Sequence, residues 1–245
     1  TMFDLSERQT QILKAIIEEY IETAEPVGSE TIEKKYPSLG ISPATIRNEM
    51  AKLTEAGYLK KPHASAGRVP PPQGLKFYIR ELMKTKELSV ADEVAVKEKI
   101  WDYRFELDKL LREATYVLAE KTKTLALATD DEGDLFYAGT GNILGMPEFY
   151  DIDITRNLLS MLDRFDFWAD LFSRAVGEDT IHILLGEELG SYLSPCGFVY
   201  THYQAGPKHT GAIGVVGPVR LNYPYIIPVV RYFGNLISEI TESWR

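Results

Sequence analysis

The sequence is poor in cysteine and in long apolar runs. Its 245 residues include a single cysteine, Cys196, so no internal disulfide framework can form. No run approaches the roughly 18 apolar residues that a membrane-spanning helix requires. The first ten residues, TMFDLSERQT, have neither a basic start nor an apolar core, so no secretory signal is expected there. These absences favour a cytoplasmic protein without a membrane partner.

Familiar catalytic and metal-binding motifs are also missing. The GTGN at 139–142 lacks the Gly-Lys-Ser/Thr that completes a P-loop, and GAIGVVGP lacks dinucleotide-binding spacing. Cys196 and His202 have no third orienting residue, so Cys196 is expected to be a packed core thiol. None of the four histidines has metal-ligand spacing with cysteine: His63, His182, His202 and His209. The sequence therefore predicts a protein that is not an enzyme and uses no metal or cofactor.

Positive charge is scarce overall but concentrated in one block. The chain has 27 Lys and Arg against 36 Asp and Glu, a formal net charge of −9. Residues 42–86 nevertheless carry nine basic and three acidic residues, a net of +6, between flanks of −4 and −11. A basic block inside an acidic chain indicates a local contact with a polyanion, although a solvated charged face gives the same composition.

Three short helices are predicted before and within this block. The segment over residues 6–26 places Ile12, Ile16 and Ile17 on one helical face, with Ser6 as the N-cap and with Pro26 and Gly28 ending the helix. A second short helix starts near Ser29 and ends before Pro37.

The third helix, predicted over 42–58, has the clearest boundaries. Ser42 is a strong N-cap, Pro43 suits the first helical position, and Gly57 can close the helix. An inward stripe of Ile46, Met50 and Leu53 leaves the opposite side free. The side chains placed there or on its flanks are Ala44, Thr45, Arg47, Asn48, Ala51, Lys52 and Glu55.

Those outward residues have the chemistry of base recognition. Asn48 can pair with adenine through two hydrogen bonds, Arg47 with guanine, and Thr45 can meet a thymine methyl group or a phosphate. The segment LKKPHASAGRVPPPQG that follows is basic and rich in Gly and Pro, which is typical of a wing. The pattern predicts a winged helix-turn-helix, with an ordinary three-helix bundle as the alternative.

Several motifs in order resemble one known family. EPVGS, SPATIRNEM, GYL and SAGR in the first 80 residues, then GTGNILGMPEF and GAIGVVGPVRLNYPYIIPVV, resemble the HrcA family of bacterial heat-inducible transcription repressors. The resemblance implies a dimeric repressor that binds an inverted repeat, CIRCE, upstream of chaperone operons. It also implies the chaperonin GroEL as a partner.

Carried onto this chain, the resemblance gives a set of DNA-contacting residues. The recognition helix spans 42–58 and the wing spans 60–74, with residues 60–68 in contact with DNA and 69–74 as a stiff exit. Phosphate contacts are expected from Lys60, Lys61, Lys76 and Arg80. The full set is Ser42, Thr45, Arg47, Asn48, Lys52, Lys60, Lys61, His63, Ser65, Gly67, Arg68, Lys76 and Arg80.

The chain departs from the family pattern in two places. In the wing, Ala64 stands where the family commonly has Thr, and Pro71, Pro72 and Gln73 replace a Thr-Asp-Lys-like run. In addition, only the turn DEGD joins LALATD to LFYAGTG, where longer members carry an inserted dimerisation domain. A dimer of this chain would need another surface.

The acidic remainder is predicted to be an α+β domain. Residues 88–123 form one long helix or two, either a dimer helix or a helix packed on its own domain. Beyond them a hairpin is expected around DEGD, then helix within 153–176, three further strands and a closing helix. We expect a winged helix-turn-helix domain over 1–86, a helical connector over 87–123 and a GAF-like domain with an antiparallel sheet over 124–245.

Two other functions fit the same sequence. The acidic domain could be a small-molecule sensor in a ligand-responsive regulator of other genes. The basic block could instead meet an acidic protein partner. The leading hypothesis is a cytoplasmic, nucleoid-associated repressor of heat-shock operons that binds double-stranded DNA as a homodimer.

Overall fold

The computed structural model describes residues 5–174 and 180–244. The chain forms two units, one made of Thr1–Lys84 with Asn222–Pro224 and the other of Thr85–Leu221 with Tyr225–Arg245. The helices expected to act as a connector are part of the second unit. No helix in the described ranges has the length and apolarity needed to cross a membrane.

Helices build the first unit. They are α1 (Glu7–Thr23), α2 (Ser29–Lys35), α3 (Pro43–Glu55) and α4 (Pro72–Phe77), the last continued by a π-helical turn over Tyr78–Leu82. Ser6 caps α1 as predicted, since its Oγ accepts the Gln9 N–H and the Gln9 side chain accepts the Ser6 N–H. The apolar face of α1 is buried at Ile12, Ile16 and Ile17.

The second unit is organised by a five-stranded antiparallel sheet. Its strands are β1 (Leu125–Thr129), β2 (Leu135–Ala138), β3 (His182–Leu185), β4 (Cys196–Ala205) and β5 (His209–Pro218), in the order β2-β1-β5-β4-β3. The predicted hairpin at DEGD is confirmed, because Thr129 pairs with Leu135 across it. The long β4–β5 hairpin runs from the pair Cys196–Pro218 to the pair Ala205–His209.

Helices cover both faces of this sheet. They are α5 (Val90–Trp101), α6 (Leu107–Thr122), α7 (Thr140–Ile143), α8 (Ile152–Met161), α9 (Phe165–Ser173) and α10 (Tyr223–Ile240). Residues 88–123 thus form two helices, and the helix expected within 153–176 is α8 and α9, with residues 175 and 176 outside the described part. The fold is α+β, as predicted.

The aromatic residues Trp168 and Phe172 of α9 pack inward. Trp168 and Phe172 are buried with Phe198 and Tyr200 of the sheet, and the Trp168 indole N–H donates to the Met161 carbonyl at 2.8 Å. On the opposite face, α10 approaches β4 so closely that a Cβ on Gly234 would lie 2.4 Å from Thr201 Cγ2. A glycine at this point of α10 is therefore required by packing.

Candidate nucleic-acid interface

Helix α3 is held in place by its own cap and core contacts. The Ser42 Oγ accepts the Thr45 N–H at 3.3 Å, and Pro43 occupies the first helical position. Ile46, Met50 and Leu53 are buried, so the predicted inward stripe is confirmed. The helix ends at Glu55, earlier than the predicted residue 58, because Gly57 has φ +83° and turns the chain out of helical geometry.

The outward side of α3 is open and contains the predicted pair of recognition residues. Ala44, Arg47, Asn48 and Ala51 are exposed. Among the described residues, neither the Arg47 nor the Asn48 side chain forms a hydrogen bond or ion pair. Both side chains can therefore meet an external partner without giving up an internal contact, and the small alanines beside them permit close approach.

The other polar residues of α3 already have partners within the unit. The Thr45 hydroxyl lies 3.1 Å from the Ser42 hydroxyl, so both belong to the cap. The Lys52 ammonium donates to the mostly buried Glu49 carboxylate at 3.2 Å, although the lysine itself remains exposed. The polar groups of Ser42, Thr45 and Lys52 are therefore already engaged within the unit.

A small wing follows α3. Lys60 and Val69 exchange two backbone hydrogen bonds of 2.8 and 2.9 Å, and Arg68 exchanges two of the same lengths with Val27. Three short segments thus pair side by side, and the loop between them turns at His63, whose carbonyl accepts the Ala66 N–H. This is the sheet of a winged helix-turn-helix.

The tip of the wing is exposed and basic. Lys60, Lys61, His63 and Ser65 all face solvent, and the Ser65 hydroxyl lies 3.3 Å from His63 Nδ1. Lys76 and Arg80 are also exposed, four residues apart on and just after α4, with Arg80 paired to Glu81.

The predicted wing boundary was wrong beyond Val69. Residues 69–74 were expected to be a stiff exit, but α4 begins at Pro72 and includes Gln73 and Gly74. The prolines indicated a loop, yet proline also suits the first turn of a helix, where its missing N–H costs nothing. Gly74 is required because a Cβ there would lie 2.2 Å from the Tyr58 carbonyl oxygen.

Arg68 does not project freely from the wing. It is half-buried, and its Nε donates to the Thr54 Oγ1 on α3 at 3.0 Å. No local pattern indicates this pairing, because the two residues are 14 positions apart and in different elements. Arg68 therefore ties the wing to the recognition helix, whatever else it contacts.

Gly67 has a packing role in the wing. A Cβ at this position would lie 2.4 Å from the Val27 carbonyl oxygen, a backbone atom that cannot move aside cheaply. We expect Gly67→Ala to open the pairing with Val27 and to destabilise the first unit by about 1–3 kcal/mol. Urea unfolding of the full chain followed by circular dichroism measures this change. Ala64→Gly, at the exposed tip, is the matched control and should leave the midpoint nearly unchanged; an unaltered midpoint for Gly67→Ala would contradict the packing role.

Arg8 is a basic residue near the start of α3 that the sequence did not place in the candidate interface. It lies exposed at the start of α1, beside a recess of about 480 Å³ that it shares with Ser42 and Thr45 at the start of α3. The basic block in the sequence begins at residue 42, so nothing linked this arginine to α3. Only the fold brings the two helix starts together.

The fragments that suggested other chemistry do not assemble into a site. Cys196 is fully buried, and this burial raises the pKa of its thiol to about 12. His202 lies six residues further along the same strand, roughly 20 Å away at the usual rise per residue. Across the described residues, no group of three or more His, Cys, Asp or Glu side chains is arranged to hold a metal ion.

An exposed helix with free Arg and Asn side chains, a basic wing and a separate α+β unit define a transcriptional regulator of the winged helix-turn-helix class. The family model described as "HrcA protein C terminal domain" matches residues 73–227. The chain belongs to the HrcA family.

Comparisons with individual proteins agree with this assignment. The heat-inducible transcription repressor HrcA of Symbiobacterium thermophilum is 27% identical over 339 residues, covering 97% of this chain and 99% of the relative. That of Clostridioides difficile is 28% identical over 338 residues, with 96% and 99% covered. Because these spans exceed the 245 residues of this chain, the relatives contain segments that it lacks, as predicted.

One solved structure shows the same fold. It is described as "Crystal structure of a hypothetical protein at 2.2 A resolution" and matches with a TM-score of 0.77 at 21% sequence identity. The match covers 98% of this chain and 99% of that chain. The two chains therefore share their fold along nearly the whole length of each.

Proposed function

We propose that the protein represses heat-shock chaperone operons by binding a CIRCE-type inverted repeat as a homodimer. Helix α3 enters the major groove and the wing follows the adjacent backbone. The observation that carries the proposal is the pair Arg47 and Asn48, exposed and unpaired on the outward side of a capped helix. Relatives named heat-inducible transcription repressors support the repressor role.

Contacts divide into those that select bases and those that hold the backbone. Arg47 and Asn48 specify, because their side chains can each make two hydrogen bonds to a base edge. The backbone group is Ser42, Thr45, Lys52, Lys60, Lys61, His63, Ser65, Gly67, Arg68, Lys76 and Arg80. Neutralised phosphates release counterions, so affinity should fall steeply with added salt.

The dimer is proposed to form through α5. The apolar face of α6 is buried in its own unit at Leu111, Ala114 and Leu118, so it is not free for a second copy. By contrast α5 exposes Val90 and Val94, at 76% and 49%. Trp101, two turns after Val94, is 41% exposed, and Ala91 and Ala95 on the same side are exposed as well. Small and apolar residues on one face allow two α5 helices to approach closely around a two-fold axis.

Chaperonin coupling is proposed from the family resemblance. Copies that fail to fold would bind GroEL, and their release as folded dimers would restore repression. Marginal folding stability is enough for such a switch, because one or two kcal/mol changes the ratio of folded to unfolded copies by a factor of about 5 to 30. The protein would act in the cytoplasm at the nucleoid.

Transcription in vitro tests the proposal directly. A template with a CIRCE-type inverted repeat at its promoter should give less transcript as the protein is added, and a template with a scrambled repeat should not. Preincubation with GroEL and ATP should increase the repressing fraction of a heat-treated sample. Equal transcription from both templates would overturn sequence-specific repression; an absent GroEL effect would overturn only the coupling.

Two roles of Arg68 can be distinguished by experiment: direct contact with a DNA phosphate, and support of the wing through its hydrogen bond to Thr54. If Arg68 meets a phosphate, Arg68→Ala should weaken binding to all sequences and reduce the slope of log affinity against log salt by roughly one unit. Thr54→Val is the matched control, since it removes the partner hydroxyl and keeps the charge, so its slope should stay unchanged. Fluorescence anisotropy at four salt concentrations gives both slopes. The same slope for Arg68→Ala and wild type would show that Arg68 acts only by positioning the wing.

A further inference from the structure

The second unit contains an acidic cleft that the proposed DNA interface does not use. Its volume is about 620 Å³, within the range of small-molecule sites. The turn after β1 supplies Asp130 and Asp131 on one side, and α9 supplies Phe165 and Phe172 on the other. Tyr203 of β4 also lines it.

Asp130 is a buried acidic residue in the lining of this cleft. It is 6% exposed, and its Oδ1 accepts backbone N–H groups from Glu132, Gly133 and Asp134 at 3.0, 3.0 and 2.8 Å. These three hydrogen bonds stabilise the DEGD turn and satisfy the hydrogen-bonding capacity of Oδ1. The other, Oδ2, is buried with no hydrogen-bond partner among the described residues. A buried carboxylate oxygen without a donor or counter-charge is costly.

Nothing positive in the described lining compensates this charge. No Lys or Arg from the described ranges borders the cleft, and its second carboxylate, Asp131, lies 3.3 Å from His209 Nδ1. The Tyr203 hydroxyl donates to the Thr129 carbonyl at 3.0 Å and is not available to Asp130. Burial and the charges of Asp130 and Asp131 raise the pKa of the Tyr203 phenol, so it remains neutral.

We propose that this cleft binds a small organic cation, an ammonium group on an aromatic or alkyl body. The ammonium group lies on the Asp130 and Asp131 side, where attraction to a carboxylate is strengthened by low solvent exposure. The apolar body lies against Phe165, Phe172 and Tyr203, the aromatic residues that line the cleft. All residues invoked lie in the second unit, so the inference is independent of the proposed DNA interface.

Calorimetric titration of the full chain tests this with three probes. The expected ligand is 2-phenylethylamine, which has both parts; 2-phenylethanol is its neutral counterpart, and butane-1,4-diamine has charge without a ring. We expect 2-phenylethylamine to bind at least about tenfold more tightly than either comparison compound. Equal binding of 2-phenylethylamine and 2-phenylethanol would overturn the role of the carboxylates. Equal binding of the two amines would overturn the aromatic part, and no binding of 2-phenylethylamine would show only a solvent-filled groove.

Two variants and one control variant locate the site. Asp130→Asn keeps an oxygen for the turn and removes the charge, and should weaken 2-phenylethylamine binding about tenfold or more. Asp134→Asn removes a charge from the same turn outside the cleft and should bind as wild type. Ala169→Leu fills the cleft from α9 and should abolish 2-phenylethylamine binding. It tests the location of the site even if Asp130→Asn does not fold. Unchanged binding in folded Asp130→Asn or in Ala169→Leu would overturn the assignment.

Discussion

Val94→Glu is expected to convert the protein to monomers and to reduce operator affinity by about 10²- to 10⁴-fold. The side chain is half exposed at the centre of the proposed α5 surface, so a new carboxylate would face its own symmetry copy across the two-fold axis. Like charges brought together and removed from water oppose association. A monomer loses the gain from engaging two linked half-sites, which accounts for the size of the effect. Analytical ultracentrifugation and anisotropy on the same sample measure mass and affinity together.

Tyr192→Glu is the matched control for this change. Tyr192 is 73% exposed in a helical turn before β4, away from α5 in the sequence, and the variant adds the same charge at another exposed apolar side chain. It should remain a dimer with wild-type affinity. A Val94→Glu protein that stays dimeric would remove α5 as the interface.

Asn48→Ala is expected to relax base preference at one position of each half-site, at a cost of about 1–3 kcal/mol for the preferred base. The reason is geometric, because Asn48 is exposed near the middle of α3 and its side chain has no hydrogen-bond partner in the part of the chain that the structure describes. A panel of operators with every base at each position, titrated against both proteins, shows where discrimination disappears. The slope against salt should not change, since no phosphate contact is lost.

Lys52→Ala distinguishes loss of specificity from loss of affinity. Lys52 is on the same helix but is paired with Glu49, and we expect the variant to weaken all operators by a similar factor. An Asn48→Ala protein with the same uniform loss would contradict a base-reading role for Asn48.

Local signals predicted most of the fold because they act over a few residues. Ser42 and Pro43 set the start of α3, Gly57 set its end, and the turn DEGD set the β1–β2 hairpin. In each case one residue type suits the backbone geometry much better than its alternatives.

Features that depend on distant partners were not predictable. Val27 lies between Pro26 and Gly28 with no local signal of strand pairing, yet its backbone pairs with Arg68 and requires Gly67 beside it. Helix α4 begins at Pro72, and its Gly74 packs against the Tyr58 carbonyl, a contact with no local signature. The bond from Arg68 to Thr54 belongs to the same group.

The candidate interface likewise has features that local sequence signals predict and features that depend on distant contacts. Exposure of Arg47 and Asn48 followed from the helical period alone, once Ile46, Met50 and Leu53 were placed inward. The proximity of Arg8 to the start of α3, and the cleft beside Asp130, arise from how separate elements meet. Periodicity identifies which side of a helix faces out, and only the fold shows what lies next to it.

On the proposed function, α3 and the wing form a sequence-specific surface that two copies of the chain use at once. Fluorescence anisotropy of the wild-type chain, titrated onto a CIRCE-type inverted repeat and onto a scrambled duplex at four salt concentrations, measures this. We expect two protein chains per repeat, a steep fall of affinity with salt on both duplexes, and a preference for the repeat of about 10³-fold or more. Equal affinity for the two duplexes at every salt concentration would contradict it.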